Sequence, residues 1–217
     1  MRKEFCIEQA EKFLRETFDK SEFLNQYPEQ RVYRLAHSIR VANIGREIAA
    51  QEGLDIEMTT IACLLHDISY CMVFKDRADI RNHGRYAAEI ARPFIESLGF
   101  SKEETNEMCY GIAIHVDDKA DFEGVRTRLA VTVGDADNID RLDAFRIHET
   151  LEDAGYTKLS DEERLKHIEK ILGMVNWYRE HLDEMGTATA RKMFEERLDF
   201  YGKFYLKLKK QVENSTL

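Results

Sequence analysis

Apolar positions along the chain recur at intervals of three and four, and no segment alternates apolar with polar residues for the length of a strand. That spacing predicts helices nearly throughout. Residues 2–18 read as a charged amphipathic helix, broken near Tyr27-Pro28. Over about 31–51, His37, Val41, Ile44 and Ile48 share one face at i, i+4, i+7 and i+11, and Gly53 closes the helix. A short apolar helix over about 57–68 turns Ile61, Leu64, Leu65 and Ile68 inward and carries His66-Asp67 at its C-terminal end. The stretch 69–81 reads as a loop. Asn82 is expected to cap a helix starting at His83, which Pro93 should kink or break before Leu98.

Gly99 ends that element, and Ser101 with Glu104 makes a capping box for the next, where Met108, Ile112 and His115 form one stripe. A polar loop follows over 117–124. Helical pattern resumes at about Val125 and passes through Asp137 toward Leu151. Ser160 and Glu163 make a second capping box for a helix to about Glu184, and Thr187 or Thr189 caps the last one. Residues after Val212 are expected to fray. With no internal repeat, low-complexity segment or linker, the expectation is one all-α domain over 1–217. It comprises an N-terminal helical segment over 1–30, a core over 31–155 and a charged helical hairpin over 156–217.

Length and composition narrow the setting. A chain of 217 residues with 43% hydrophobic and 34% charged content supports one well-buried core. A formal charge of −9 argues against a nucleic-acid groove or an anionic membrane surface as the main partner. A phosphorylated small molecule stays open, because metals and a few arginines can make one pocket locally positive. No apolar run approaches the roughly 20 residues that span a bilayer, and MRKEFCIEQAEKFLRE lacks the apolar stretch of a signal peptide. The four cysteines show no CxxC spacing, so a reduced cytoplasmic setting without disulfides is expected.

Six side chains of metal-ligand type, His37, His66, Asp67, His83, His115 and Asp137, each fall at or near the end of a predicted helix. Four imidazoles with two carboxylates suit one or two divalent transition metals, with iron, manganese, cobalt or nickel ahead of zinc. A His-Asp dipeptide alone is a weak signal in a chain with seven histidines; the joint placement on inward faces carries the weight. His148, His167 and His181 lie among charged residues and read as solvated. Cys63 sits on the inner face of a ligand-bearing helix and reads as a buried structural thiol, not a nucleophile. Phe194, Tyr201, Phe204 and Tyr205 read as helix packing or a homodimer face rather than a base-stacking platform.

HSIRVANIGREIA around His37, ACLLHDISY around His66-Asp67 and VGDADNIDRLD around Asp137 resemble the HD superfamily of metal-dependent phosphohydrolases. The histidines in NHGRYAAEIA and GIAIHVDD match its two-metal branch, and TATARKMFEERLDFYGKF looks like the tail of small stand-alone bacterial members. The resemblance implies an HD-domain helical bundle. His37, His66 and Asp137 would complete one metal, His83 and His115 would serve mainly the other, and Asp67 would bridge the two and orient the attacking water. Asp135 competes with Asp137 as the last ligand; the two lie about 200° apart on a helix, so both do not easily face one metal.

Arg40 and Arg141, one turn after His37 and Asp137, are the expected phosphate contacts, with Arg85 and Lys119 close behind His83 and His115. The implied activity is hydrolysis of a nucleotide or other small phosphate ester or anhydride by metal-activated water, with iron or manganese the first expectation. The alternatives are a mixed-valent di-iron oxygenase of the same fold and a metal-holding sensor. The implied partner is a small-molecule phosphate, with no nucleic acid and no membrane.

Overall fold

The computed structural model describes residues 2–215 and divides the chain into two compact units, residues 1–137 and residues 138–217. The fold is all-α, and no strand occurs among the described residues. The last two residues of the segment expected to fray lie outside the described residues; the final helix runs to Glu213.

The first unit is organised around a helix that is apolar on every side. In order come α1 (Arg2–Asp19), α2 (Glu22–Gln26), α3 (Pro28–Glu52), α4 (Ile56–Leu65), α5 (Arg77–Ile80), α6 (His83–Ser97), α7 (Lys102–Ile114) and α8 (Arg128–Asp140), the division between units falling inside α8. Every residue of α4 from Glu57 to Leu65 is buried, which a ten-residue helix achieves only when enclosed all round. It packs against α1, α3 and α7, while α6 packs on α7. Asp55 starts α4 by accepting from the Met58 amide, and Gly53 ends α3 in the left-handed conformation at φ 68°. Pro28 opens α3 at its first turn, where the missing N–H has no partner to lose.

Two hydrogen bonds tie down the chain after α4, which turns through Ile68–Cys71. The Ser21 hydroxyl donates to the Cys71 carbonyl at 2.6 Å, and the Ser69 hydroxyl donates to the His83 carbonyl at 2.8 Å. The segment expected to be loop over 69–81 therefore holds this turn and the one-turn α5, started by Asp76 accepting from the Ala78 and Asp79 amides.

Three local expectations need correction. Asn82 holds the N-cap position of a helix that starts at His83, as expected, but its backbone is helical and it makes no side-chain cap bond, its oxygen accepting instead from the Arg85 guanidinium. Pro93 does not break α6, which runs on to Ser97. The carbonyl that proline leaves without a donor is that of Glu89, on the exposed face where water reaches it, while Ala87, Ala88, Ala91 and Ile95 are buried opposite. The helix expected from Val125 toward Leu151 is two helices, α8 and α9 (Ala144–Asp153), because Asp143 caps a new start at the Ala144 amide.

In the second unit α10 (Asp161–Glu180) and α11 (Ala188–Glu213) form an antiparallel hairpin, opened by the expected Ser160–Glu163 capping box and by Thr187. Tyr178 meets Phe194, Arg179 pairs with Asp199 at 2.7 Å and Lys209 with Glu169 at 3.2 Å. Tyr201 and Tyr205 are buried, so the aromatic stripe serves helix packing. His148 is exposed as expected, but His167 is not simply solvated. It lies half-buried between the rings of Tyr156 and Tyr205, at 6.0 and 6.4 Å, and burial together with Lys170 lowers its pKa.

Gly45 is where α3 and α4 come closest, since a Cβ there would collide with the Cys63 sulfur and lie 3.2 Å from its Cβ. Gly45→Ala gains about 1 kcal/mol of helix propensity, yet overpacking a full core costs about 1–3 kcal/mol. We expect net destabilisation in urea unfolding, most of it recovered in the Gly45→Ala/Cys63→Ala double variant. An unchanged penalty in the double variant would place the strain elsewhere.

Candidate metal centre

α3 brings His37 into the first unit one turn after Arg34, with the Tyr33 ring stacked 5.9 Å from the imidazole. α4 ends at Leu65, so His66 is its cap and Asp67 has already left helical geometry at φ −105°, ψ 14°. Neighbours inside a regular helix project about 100° apart; the helix end is what lets these two converge. His83 is the first residue of α6, His115 caps α7, and Asp137 lies near the end of α8.

Three of the rings are held in the same way. Nδ1 of His66 lies 2.7 Å from the Cys63 carbonyl, that of His83 2.7 Å from Ile80 and that of His115 2.7 Å from Ile112. A carbonyl only accepts, so each Nδ1 carries the proton and each Nε2 presents a lone pair. These carbonyls belong to helix ends, where the backbone leaves acceptors without partners.

The lone pairs and carboxylates then meet. Asp67 Oδ1 lies 3.3 Å from His83 Nε2 and 3.7 Å from His115 Nε2, and Oδ2 lies 3.6 Å from Nε2 of both His37 and His66. Asp137 Oδ1 lies 3.2 Å from His37 Nε2 and 3.9 Å from His66 Nε2. Three overlapping groups, each with ligand atoms within 4.8 Å of one another, take in all six side chains: His37–His66–Asp67, His66–His115–Asp137 and Asp67–His83–His115. Asp135, buried two residues before Asp137, belongs to none of them.

The cluster has the signs of a cation site. His66 Nε2 is buried and makes no hydrogen bond. The Nε2 atoms of His83 and His115 face each other at 3.0 Å, where two lone pairs repel unless a proton or a metal lies between them. Burial pulls His66 down to about 4 despite Asp67, keeping the ring neutral as a metal needs. Burial would raise the Asp67 carboxyl, but His66, His115, His83 and Arg34 outweigh it and hold the group well below the usual carboxylate range. Burial would lower His115, and the adjacent Asp67 and Asp137 carboxylates raise it instead. An unassisted buried carboxylate is expensive; this one is compensated on every side.

Arg34 escaped the sequence reading. Its Nη1 donates to Asp67 Oδ2 at 2.9 Å and its guanidinium lies 3.4 Å from the Tyr70 ring centroid. The available signal was its i−3 spacing from His37, which puts both on one helix face. Arg40 is half-buried on α3. Arg141 directly follows the last residue of α8, in an exposed turn of the second unit. Arg85 donates to Asp117 Oδ1 at 2.9 Å and to Asn82, while Lys119 is exposed on the loop after α7. Cys63 is buried as expected, and burial, with Asp135 and Asp137, pushes its thiol up and away from reactivity.

Helices that deliver four imidazoles and two carboxylates to one spot, all but His37 from or near their ends, define a class of all-helical proteins able to hold divalent metal. The HD domain model matches residues 34–144, and the chain belongs to the HD-domain family. Among curated relatives, ribonuclease Y of Lawsonia intracellularis is 33% identical over 139 residues, covering 64% of this chain and 23% of that protein. Ribonuclease Y of Mycoplasma mycoides is 37% identical over 101 residues, covering 42% and 23%. The chain thus matches less than a quarter of the length of these relatives.

Solved structures show the same fold. Bacillus subtilis YpgQ superposes with a TM-score of 0.64 at 21% identity over 99% of both chains. Its complex with ADP gives 0.63 at 21% over 97% of both. A predicted HD superfamily hydrolase from an uncultured Thermotogales bacterium gives 0.63 at 22%, over 94% of this chain and 91% of that one.

Gly84 sets the approach of α6 to α7: a Cβ there would lie 2.7 Å from the Ala113 carbonyl oxygen and 3.1 Å from His115 Nδ1. Gly84→Ala should separate His83 from His115 and lower metal stoichiometry in elemental analysis, while the pocket of His37, His66 and Asp137 keeps its ion. Full stoichiometry in a folded Gly84→Ala protein would show that this close approach is not needed for metal.

Proposed function

We propose that the protein is a metal-dependent hydrolase of small phosphate esters or anhydrides, nucleotides among them, in which water attacks phosphorus. The observation that carries this reading is the division of Asp67: one oxygen faces His83 and His115, the other faces His37 and His66, and Asp137 closes the second set. Two neighbouring sites sharing one carboxylate suit in-line displacement at phosphorus. Divalent metal bound there, iron or manganese in our reading, supplies Lewis acidity and lowers the pKa of water toward neutrality. His37, His66 and Asp137 would hold one ion, His83 and His115 the other, with Asp67 between them.

The chain's own residues do the rest. Asp67 orients the attacking water, and Arg34 keeps the Asp67 carboxylate ionised and fixed through its hydrogen bond. Within the first unit, Arg40 and Lys119 are the proposed donors to phosphoryl oxygens, and Arg85 is engaged by Asp117. Support from the comparisons is a phosphate-bearing ligand, ADP, in the YpgQ complex, and a name, ribonuclease Y, that implies cleavage of phosphodiesters. The latter favours a second reading, hydrolysis of an RNA phosphodiester, against which the formal charge of −9 weighs.

The test is phosphate release by the full chain reconstituted with Mn²⁺ or Fe²⁺, across nucleoside mono-, di- and triphosphates, simple phosphate esters and short RNA. We expect metal-dependent turnover of a small phosphate, lost with the metal in Asp137→Ala and retained with it in Asp135→Ala. Loss of metal in Asp135→Ala alone would move the last ligand two residues earlier. No turnover of any compound by fully loaded protein would hand the site to oxygenase or sensor chemistry.

Arg34→Gln should keep fold and metal while lowering kcat/KM by about 1.5–3 kcal/mol, the worth of a charge-assisted hydrogen bond. Unchanged kinetics in that variant would leave Arg34 a purely structural residue.

A further inference from the structure

Tyr70 is placed by the backbone before any side chain acts on it. The turn Ile68–Cys71 follows directly from Asp67, and the Tyr70 amide donates to the Asp67 carbonyl at 3.0 Å. Ile68 and Ser69 are fully buried. The Ser69 hydroxyl ties the turn to the His83 carbonyl, and the Ser21 hydroxyl holds the carbonyl of Cys71. The third residue after Asp67 therefore comes back to the centre on a fixed turn.

The Tyr70 ring is braced in its place. The His83 imidazole lies 5.1 Å away, tilted by 51°, and Phe74 packs edge-on at 5.3 Å. Against this braced ring lies the Arg34 guanidinium, 3.4 Å from the ring centroid, while Arg34 Nη1 donates to Asp67 Oδ2 at 2.9 Å. Asp67, the turn, Tyr70 and Arg34 thus close a circle of contacts that begins and ends on one carboxylate.

Arg34 needs such a support. Its Nε is buried and makes no hydrogen bond, and its side chain is 20% exposed, so a way out to solvent exists. Beside a centre that takes divalent cations, like charge pushes a guanidinium outward, and a single hydrogen bond is a weak tether against that push. A planar cation stacked on an aromatic face is attracted by the ring quadrupole and loses its freedom to swing. An aliphatic side chain at position 70 would fill the space without either effect.

We propose that Tyr70 is a positioning residue of this centre, whose ring holds the Arg34 guanidinium on Asp67 and so keeps the carboxylate in the direction that hydrolysis requires. The inference rests on the phosphate-hydrolase reading and adds to it a residue that acts only through Arg34. The ring, not the hydroxyl, is the acting part.

The experiment pairs a spectroscopic readout with kinetics, both on the full chain. In protein carrying isotope-labelled arginine and loaded with Zn²⁺, a diamagnetic stand-in, the Arg34 Nε–H resonance should be shifted upfield by the Tyr70 ring. The signal is assigned by its absence in Arg34→Gln. Tyr70→Phe should keep that shift and most of the kcat/KM for phosphate release with Mn²⁺. Tyr70→Leu should lose the shift and lower kcat/KM on the order of tenfold, mostly in kcat, at unchanged metal content. In the Arg34→Gln background the same change should cost far less, since no guanidinium remains to hold. Arg34→Lys keeps the charge without the planar face and should lose activity too, which tests the stack if Tyr70→Leu disturbs the turn.

An unshifted Arg34 resonance in the unaltered protein would overturn the proposal. Equal losses in Tyr70→Phe and Tyr70→Leu would overturn it by making the hydroxyl the acting group. An equal penalty in both Arg34 backgrounds would overturn it by making the ring a filler of space. The two readings fail separately. A shift kept in Tyr70→Phe and lost in Tyr70→Leu, with no phosphate cleaved by any form, removes the hydrolase and keeps the ring's hold on Arg34. Cleavage as fast in Tyr70→Leu as in the unaltered protein removes the positioning role and keeps the hydrolase.

Discussion

The hydrogen bond from a histidine Nδ1 to the carbonyl three residues earlier, made alike by His66, His83 and His115, is what the candidate centre depends on. It uses carbonyls that helix ends leave without amide donors, so the backbone itself orients each ring. With the proton held on Nδ1, every Nε2 is a lone pair aimed at the same small volume. No other side chain has to be spent on fixing the tautomers. The carboxylate of Asp67 then answers both sets of rings, and Arg34 answers the carboxylate.

Bringing those helix ends together is a packing problem, and small residues solve it. Gly45 lets α3 meet α4 at Cys63, Gly84 lets α6 meet the end of α7, and a Cβ at Gly111 would lie 2.9 Å from the Ala130 Cα of α8. Gly134 passes beside His115, with the His115 carbonyl 3.4 Å from where its Cβ would be. α4 lies among these approaches, buried from Glu57 to Leu65, and its C-terminal His66 and Asp67 are buried with it. That depth explains both the neutral His66 and the need for several positive or polar partners around Asp67.

The surroundings of the cluster are unequal. On the α3 side Arg34 and the Tyr70 ring close over Asp67. Beside α6 and α7 a groove of about 910 Å³, lined by none of the six ligand side chains, is framed by a loop held through Arg85, Asn106 and Gly124.

Much of this was legible in the linear pattern. Three- and four-residue periodicity, Gly53, and the capping boxes at Ser101 and Ser160 predict the helices, because these signals act within a turn or two of chain. Five of the ligand-type residues were visible because they mark helix ends, which are local; His37 lies instead inside α3, on the buried face it shares with Val41, Ile44 and Ile48, so the expectation of a helix end fails there. Arg34 was not singled out, because its value lies in meeting Asp67 across 33 residues of sequence. At Asn82 the side-chain cap bond, and at Pro93 a break in the helix, failed to appear because the surroundings overruled them. A guanidinium claimed the Asn82 side chain, and the freed Glu89 carbonyl lay on an exposed face while the opposite face stayed buried. The sequence by itself thus determined which elements form and which side chains have ligand chemistry. Only the tertiary structure decided that Asp137 rather than Asp135 joins the cluster, that Arg85 is claimed by Asp117, and that His167 is enclosed by tyrosines. Those outcomes depend on distances between helices, which no local preference contains.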